Sequence, residues 1–188
     1  MLPPTSMTEE EYVLRETEAE YKNEYRDGRV VAMSGASPVH SLITTNLIRE
    51  LSLQLKGTPC RVLSSDTRIK VTAAHFYTYP DLSVVCAAPR FDSQDPSALL
   101  NPGLIVEVLS PSTEDYDRGQ KFAFYRRLAS LKEYVLVAWN TPYLERFVLW
   151  PDATWHRYRT EGLASSVDLA SLPCSLALQE VYDKADLP

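Results

Sequence analysis

Glu107 stands inside Leu104-Ile105-Val106-Glu107-Val108-Leu109, a run of aliphatic residues that reads as a central strand covered on both faces. A carboxylate in such a place is costly unless it is paired, hydrogen-bonded or bound to a metal. The plainer alternative is a strand residue on a solvent face. Asp81, in Tyr79-Pro80-Asp81-Leu82, lies 26 residues earlier and opens a second apolar strand, Leu82 to Cys86. A Pro-Asp pair says little alone, since Pro151-Asp152 is most simply a hairpin turn. What sets Asp81 apart is the strand it leads into and the second carboxylate that follows. Two carboxylates on neighbouring strands can seat one hard divalent cation, Mg²⁺ or Mn²⁺, with water and a substrate phosphate completing the shell.

Asp117, Lys121, Tyr125 and Leu128 recur at four- and three-residue spacing and share one face of a helix. Lys121 can therefore serve in two ways. On a solvated face it forms an ion pair with Asp117 four residues earlier, worth a few tenths of a kcal/mol. Projected toward the end of the Glu107 strand, it orients or activates a water and stabilises negative charge on phosphate. His40 is a secondary candidate, although a lone histidine at a helix start is commonly a packed residue. Glu24 is either an extra acid near the metal or an exposed strand residue, and the second reading is the simpler. Asp66 can pair with Arg68 or Lys70, or cap a turn. Arg118, Lys121, Arg126, Arg127 and Lys132 form a local basic cluster that serves as a phosphate-contacting stripe or as a solvated helix face.

The elements that must position these residues follow from pattern and punctuation. Thr8 caps a short acidic helix running to about Glu20. Asp27-Gly28 turns a hairpin whose second arm is Arg29 to Met33. Ser37-Pro38 opens a helix with the stripe His40, Ile43, Leu47, Leu51 and Leu55, ended by Gly57. Short strands are expected near 61–63, 67–71 and 82–86, then the Glu107 strand, then a helix from Glu114 to about Ser130. A strand at 133–138 and a hairpin around Pro151-Asp152 follow, with a loop-rich tail from Gly162 and a short element at 178–182. Strands alternating with two main helices give an α/β (or α+β) class with a mixed central sheet.

The 188 residues carry 19 Lys and Arg against 25 Asp and Glu, a formal net charge of -6. That excludes attraction of nucleic acid by the whole surface, so any such binding needs a local basic patch. With 45% hydrophobic residues the chain can bury a core. It has no apolar run long enough for a membrane span, and its acidic beginning is unlike a secretory signal, so a cytoplasmic setting without membrane contact is expected. Cys60, Cys86 and Cys174 are odd in number and widely spaced, which suggests reduced thiols.

Pro80-Asp81, Ile105 to Thr113, Asp117 to Arg126 and Lys132 to Val137 together resemble the Uma2 family of restriction-endonuclease-like proteins, over about Glu24 to Tyr182. That family resembles the PD-(D/E)XK nuclease superfamily. The resemblance implies a restriction endonuclease-like core, a mixed sheet flanked by helices; the length suggests one domain over 1–188, with the N-terminal helix at about 8–20 and the tail at about 162–188 attached to it. The resemblance also implies a Mg²⁺- or Mn²⁺-dependent phosphodiesterase acting on nucleic acid, DNA above all. Asp81 and Glu107 match the metal-holding acids. The superfamily's lysine falls two residues after the acid, where this chain has Leu109, so Lys121 stands as a lysine moved to the next helix. Ala138-Trp139 occupies a place where relatives carry an aspartate. The rival reading is a catalytically idle fold that binds nucleic acid or a protein partner. A homodimer is also expected, with Leu172, Leu176, Leu178 and Tyr182 offering a surface; those residues could instead close the core.

Overall fold

The architecture described here is that of a computed structural model covering residues 6–188. Thr8 caps α1 (Glu9–Thr17) in a reciprocal capping box with Glu11, and three glutamates occupy the first turn, where the helix dipole favours them. β1 (Asn23–Arg26) and β2 (Arg29–Ala32) form a hairpin. Asp27 and Gly28 both take positive φ, 43° and 87°, as the tight turn of a twisted hairpin requires. Ser37 caps α2 (Pro38–Gln54), accepting a hydrogen bond from the His40 N–H.

Then come β3 (Arg61–Ser64), β4 (Arg68–Val71), β5 (Phe76–Thr78), β6 (Leu82–Val85), β7 (Ala98–Leu99) and β8 (Leu104–Val108). α3 (Glu114–Tyr116), a π-helical turn (Asp117–Lys121) and α4 (Phe122–Tyr125) make one continuous rod. β9 (Glu133–Val137), β10 (Tyr143–Leu149), β11 (Trp155–Glu161), β12 (Ser166–Asp168), β13 (Ser175–Ala177) and α5 (Leu178–Val181) complete the chain.

The mixed sheet is present, with order β11-β10-β9-β8-β6-β3 and β8 lying antiparallel to β6 and parallel to β9. A second, five-stranded sheet, β2-β1-β5-β4-β7, was not expected from the pattern as a separate layer. Its strands β5 and β7 have three and two residues, too short to show alternation. β12 and β13 form a small ribbon of their own.

Alternation along β8 assigns its residues to two cores. Leu104, Val106 and Val108 pack on Ile43, Leu47 and Leu51 of α2 and on Leu176 and Leu178 of the tail. Ile105 and Leu109 pack on the other face with Ile69 and Phe76 of the second sheet and Tyr125 of α4. Glu107 shares that second face and is 4% exposed, so the solvent-face reading fails because the extra sheet and the helical rod cover it.

Three further expectations need correction. Leu172, Leu176, Leu178 and Tyr182 close the core under α2, with 7%, 0%, 0% and 4% exposure, and offer no free surface for a dimer. Cys60 and Cys86 are joined as a disulfide, while Cys174 is free and buried. The pairing of Arg61 with Val85 places the two cysteines opposite one another at the end of the β3–β6 ladder, a proximity that linear spacing hides. The third helix ends at Tyr125 and not near Ser130, because the chain turns there and buries Leu128 and Leu131. Among the described residues no helix is long and apolar enough to cross a membrane.

Candidate active site

The antiparallel register that pairs Leu82 with Val106 sets Asp81 opposite Glu107 one step further along the ladder. Cross-strand partners present their side chains to the same face. The Val108 N–H donates to Asp81 Oδ2 at 2.7 Å, and His40 Nε2 lies 3.2 Å from the same oxygen. A backbone donor from the neighbouring strand thus fixes the Asp81 rotamer, and α2 contributes His40 through its first turn.

Glu107 Oε1 accepts a hydrogen bond from the Tyr125 hydroxyl at 2.9 Å and lies 2.8 Å from Lys121 Nζ. Lys121 Nζ also stands 3.4 Å from Asp117 Oδ1 and 3.7 Å from Glu24 Oε1. Asp117 and Lys121 begin and end the π-helical turn. Turns of this kind are rare and frequently sit at functional sites. Here the turn places both residues, with Tyr125 just beyond, against Glu107. The ion pair with Asp117 exists, but it is buried: both side chains are 5% exposed or less.

Glu24, His40, Asp81, Glu107, Asp117 and Lys121 line one cavity of about 930 Å³. The expected acids and lysine therefore converge, and His40, Asp117 and Tyr125 join them. Glu24 is corrected from an exposed strand residue to a buried one, 5% exposed. Its carboxylate accepts from the Thr78 and Tyr116 hydroxyls, the latter at 2.8 Å. Asp66 lies apart, paired with Lys22 at 2.7 Å and neither with Arg68 nor with Lys70. The basic stripe is broken up. Lys121 is inside the cavity, Arg118 is tied to Glu114 and Glu145, and Arg126, Arg127 and Lys132 are exposed. Tyr116 and Thr78 carried no sequence signal, because their partner Glu24 is 92 and 54 residues away.

Four carboxylates face one lysine and one histidine here, so negative charge is in excess. Burial pushes Glu107 up to about 8, with Asp117 and Asp81 adding to the rise against the pull of Lys121. Burial likewise raises Asp117 despite Lys121. For Lys121, burial works against the charged form, but Glu107, Asp117 and Glu24 outweigh it and hold the ammonium well above its ordinary value. His40 is also held above its ordinary value: burial opposes the charge and the Asp81 carboxylate overcomes it. Burial, then Glu107, keep Tyr125 neutral far beyond its usual range, so it acts as a donor.

The donor set suits a hard divalent ion that keeps much of its water. Among the described residues no three His, Cys, Asp or Glu side chains gather into a metal-holding group of their own. Asp81 is engaged through Oδ2 and Glu107 through Oε1, and no described residue donates a hydrogen bond to the other oxygen of either. Two acids with one uncommitted oxygen each, in a cavity with excess negative charge, fit Mg²⁺ or Mn²⁺ as two ligands of an otherwise aqueous shell. Leu109, at the place of the expected lysine, is 1% exposed in the apolar core, and Lys121 is the cation that reaches Glu107.

Tyr125→Phe tests this support. The change removes one donor to Glu107 without opening a void, so the fold should hold. Mn²⁺ affinity should fall about tenfold or more, the scale of losing a hydrogen-bond partner behind a metal ligand. Calorimetric titration measures it, and an unchanged affinity would remove Tyr125 from the site.

The mixed sheet and its helical flanks match the fold of a solved structure with a nuclease-like description. That structure, described as a "putative nuclease belonging to DUF820" from Anabaena variabilis, matches with a TM-score of 0.71 at 15% identity, over 87% of this chain and 91% of that one. The model of the Uma2 family, described as "Putative restriction endonuclease", matches residues 9–179, and the chain belongs to that family. Two proteins of Synechocystis sp. are similar to it. "Uncharacterized protein sll1609" is 38% identical over 70% of this chain and 74% of its own length. "Uncharacterized protein slr1290" is 35% identical over 96% of this chain and 93% of its own length.

Proposed function

We propose that the protein is a divalent-metal-dependent endonuclease that hydrolyses phosphodiester bonds in DNA. The observation that carries this reading is the meeting of Asp81, Glu107 and Lys121 in one cavity, although 26 and 14 residues separate them in sequence. Asp81 and Glu107 would hold the ion. When bound, Mg²⁺ or Mn²⁺ would lower the pKa of a water and polarise the scissile phosphate. The rest is the work of this chain. The Val108 N–H and His40 keep Asp81 oriented, and the Tyr125 hydroxyl keeps Glu107 oriented. Lys121 retains its proton, so its role is to donate a hydrogen bond to the attacking water and to offset charge developing on the phosphate.

The test is cleavage of supercoiled plasmid. Wild type should nick or linearise it with Mn²⁺ or Mg²⁺, a chelator should stop the reaction, and Asp81→Asn should lower the rate by a factor on the order of 10² or more. Folded wild type that cleaves neither plasmid nor single-stranded DNA with any divalent ion would overturn the reading. The second reading, an idle binding module, is favoured by one observation: the cavity supplies two carboxylates with a single uncommitted oxygen each and no three-ligand group among the described residues. An idle module would show no Mn²⁺ binding that Asp81→Asn removes.

A further inference from the structure

Beside the cavity lies an open groove of about 760 Å³ whose lining includes Arg26, Arg29, Arg127 and His75. Ten of the chain's 19 lysines and arginines have a carboxylate within 4 Å, but Arg26, Arg29 and Arg127 have none among the described residues. Arg26 donates to the neutral Gln120 side chain at 2.8 Å, and Arg127 donates to the Ala73 carbonyl at 3.2 Å. Asp27 is the one acid in the lining, and His75 is already paired with Glu9 at 2.6 Å. Arg26 and Arg29 are also direct partners across the β1–β2 hairpin. Like charges in that relation destabilise a hairpin unless an anion lies between or beside them. In a chain with a net charge of -6, this is positive charge left uncommitted.

The groove adjoins the candidate active site at Arg26. Arg26 lines both, and its guanidinium stacks 5.1 Å from the centre of the Tyr116 ring, whose hydroxyl holds Glu24. The remaining walls include Ala73, Ala74 and Phe124, and the carbonyl of Gln120 is taken by Arg26. Such a surface offers guanidinium donors matched to phosphate, with little that could read the edge of a base.

We propose that this groove is the track along which the sugar–phosphate backbone of a nucleic acid reaches the cavity, with Arg26, Arg29 and Arg127 contacting phosphates independently of sequence. The proposal rests on the nuclease reading for the direction of the track, and binding tests it separately from cleavage. Fluorescence anisotropy of labelled single- and double-stranded DNA, in chelator so that nothing is cut, gives affinity as a function of salt. Arg29→Glu with Arg127→Glu should weaken binding by about tenfold or more and flatten the slope of log affinity against log salt by about two. The control of equal charge is Lys56→Glu with Arg61→Glu, at the far end of α2 and on the edge strand β3. It should stay within about twofold of wild type, since distant exposed charges are screened.

Unchanged binding in the groove variant, or an equal loss in the control, would overturn the track. So would a wild type that binds no DNA at low salt but captures an acidic protein through the same arginines. Binding that depends on the groove in a protein that never cleaves would uphold the track and end the nuclease reading. Cleavage with groove-independent binding would do the reverse.

Discussion

Lys121→Ala is expected to lower Mn²⁺-supported plasmid cleavage by a factor on the order of 10² or more while leaving Mn²⁺ affinity undiminished. The reason is that Lys121 touches the acids without competing for a metal as a ligand: its ammonium is 2.8 Å from Glu107 and stays protonated. Combined with Asp81→Asn, the loss should be little greater than for either change alone, because groups acting as a unit are not additive. The substitution also leaves Glu107, Asp117 and Glu24 facing one another in a buried site. Breaking a buried pair in this way typically costs about 3–5 kcal/mol. That cost should depend on pH. Without the lysine the Glu107 and Asp117 carboxyls, already raised by burial, are raised further above their unfolded values, so stability is fully present at low pH and is lost as pH rises through the raised values. Activities must therefore be compared at equal folded fraction, and urea melts at acid and alkaline pH check the stability part. Full cleavage by Lys121→Ala would end its role and leave Arg118 as the next cation to test.

Glu107→Gln should abolish most Mn²⁺ affinity and cleavage, yet leave a protein that is folded and, above neutral pH, more stable than wild type in chelator. Glu107 is pushed from an ordinary value of 4.5 up to about 8 by burial, with Asp117 and Asp81 helping. A carboxyl raised in the folded state binds its proton more tightly there than in the unfolded chain. Its contribution to stability is whole below about 4.5 and declines as pH rises toward about 8. The slope for one such group approaches 1.4 kcal/mol per pH unit at most, an order-of-magnitude limit. Glutamine keeps the shape and carries no charge, so that decline should vanish from the variant. Urea midpoints at several pH values, for both proteins in chelator, measure it. Parallel pH profiles would show that Glu107 is ionised at little cost, and unchanged Mn²⁺ affinity would remove it from the metal site.

Much of this was legible in the sequence because the signals were local. Ser37-Pro38 and Thr8 are caps whose side chains act on the next turn, and Asp27-Gly28 is a turn that needs positive φ. The apolar run around Glu107 announced a strand, and a carboxylate within it announced a residue needing partners. Spacing on the following helix put Asp117, Lys121 and Tyr125 together. Family-specific residues then joined Asp81 to Glu107 before any register was known.

What only the tertiary structure decided depended on contacts distant in sequence. Whether Glu107 faced water or a site turned on a second sheet built partly from β5 and β7, strands too short to carry a period. Glu24 read as exposed because β1 has no continuous apolar face, and the Thr78 and Tyr116 hydroxyls that bury it come from remote segments. The tail leucines could have made an interface or a core, and α2 settled that by packing on them. The cysteines meet only because antiparallel register brings the ends of two strands together. Composition recorded the arginines but not that three of them share one groove, since charge adds along a chain while electrostatic fields are set by distance in space.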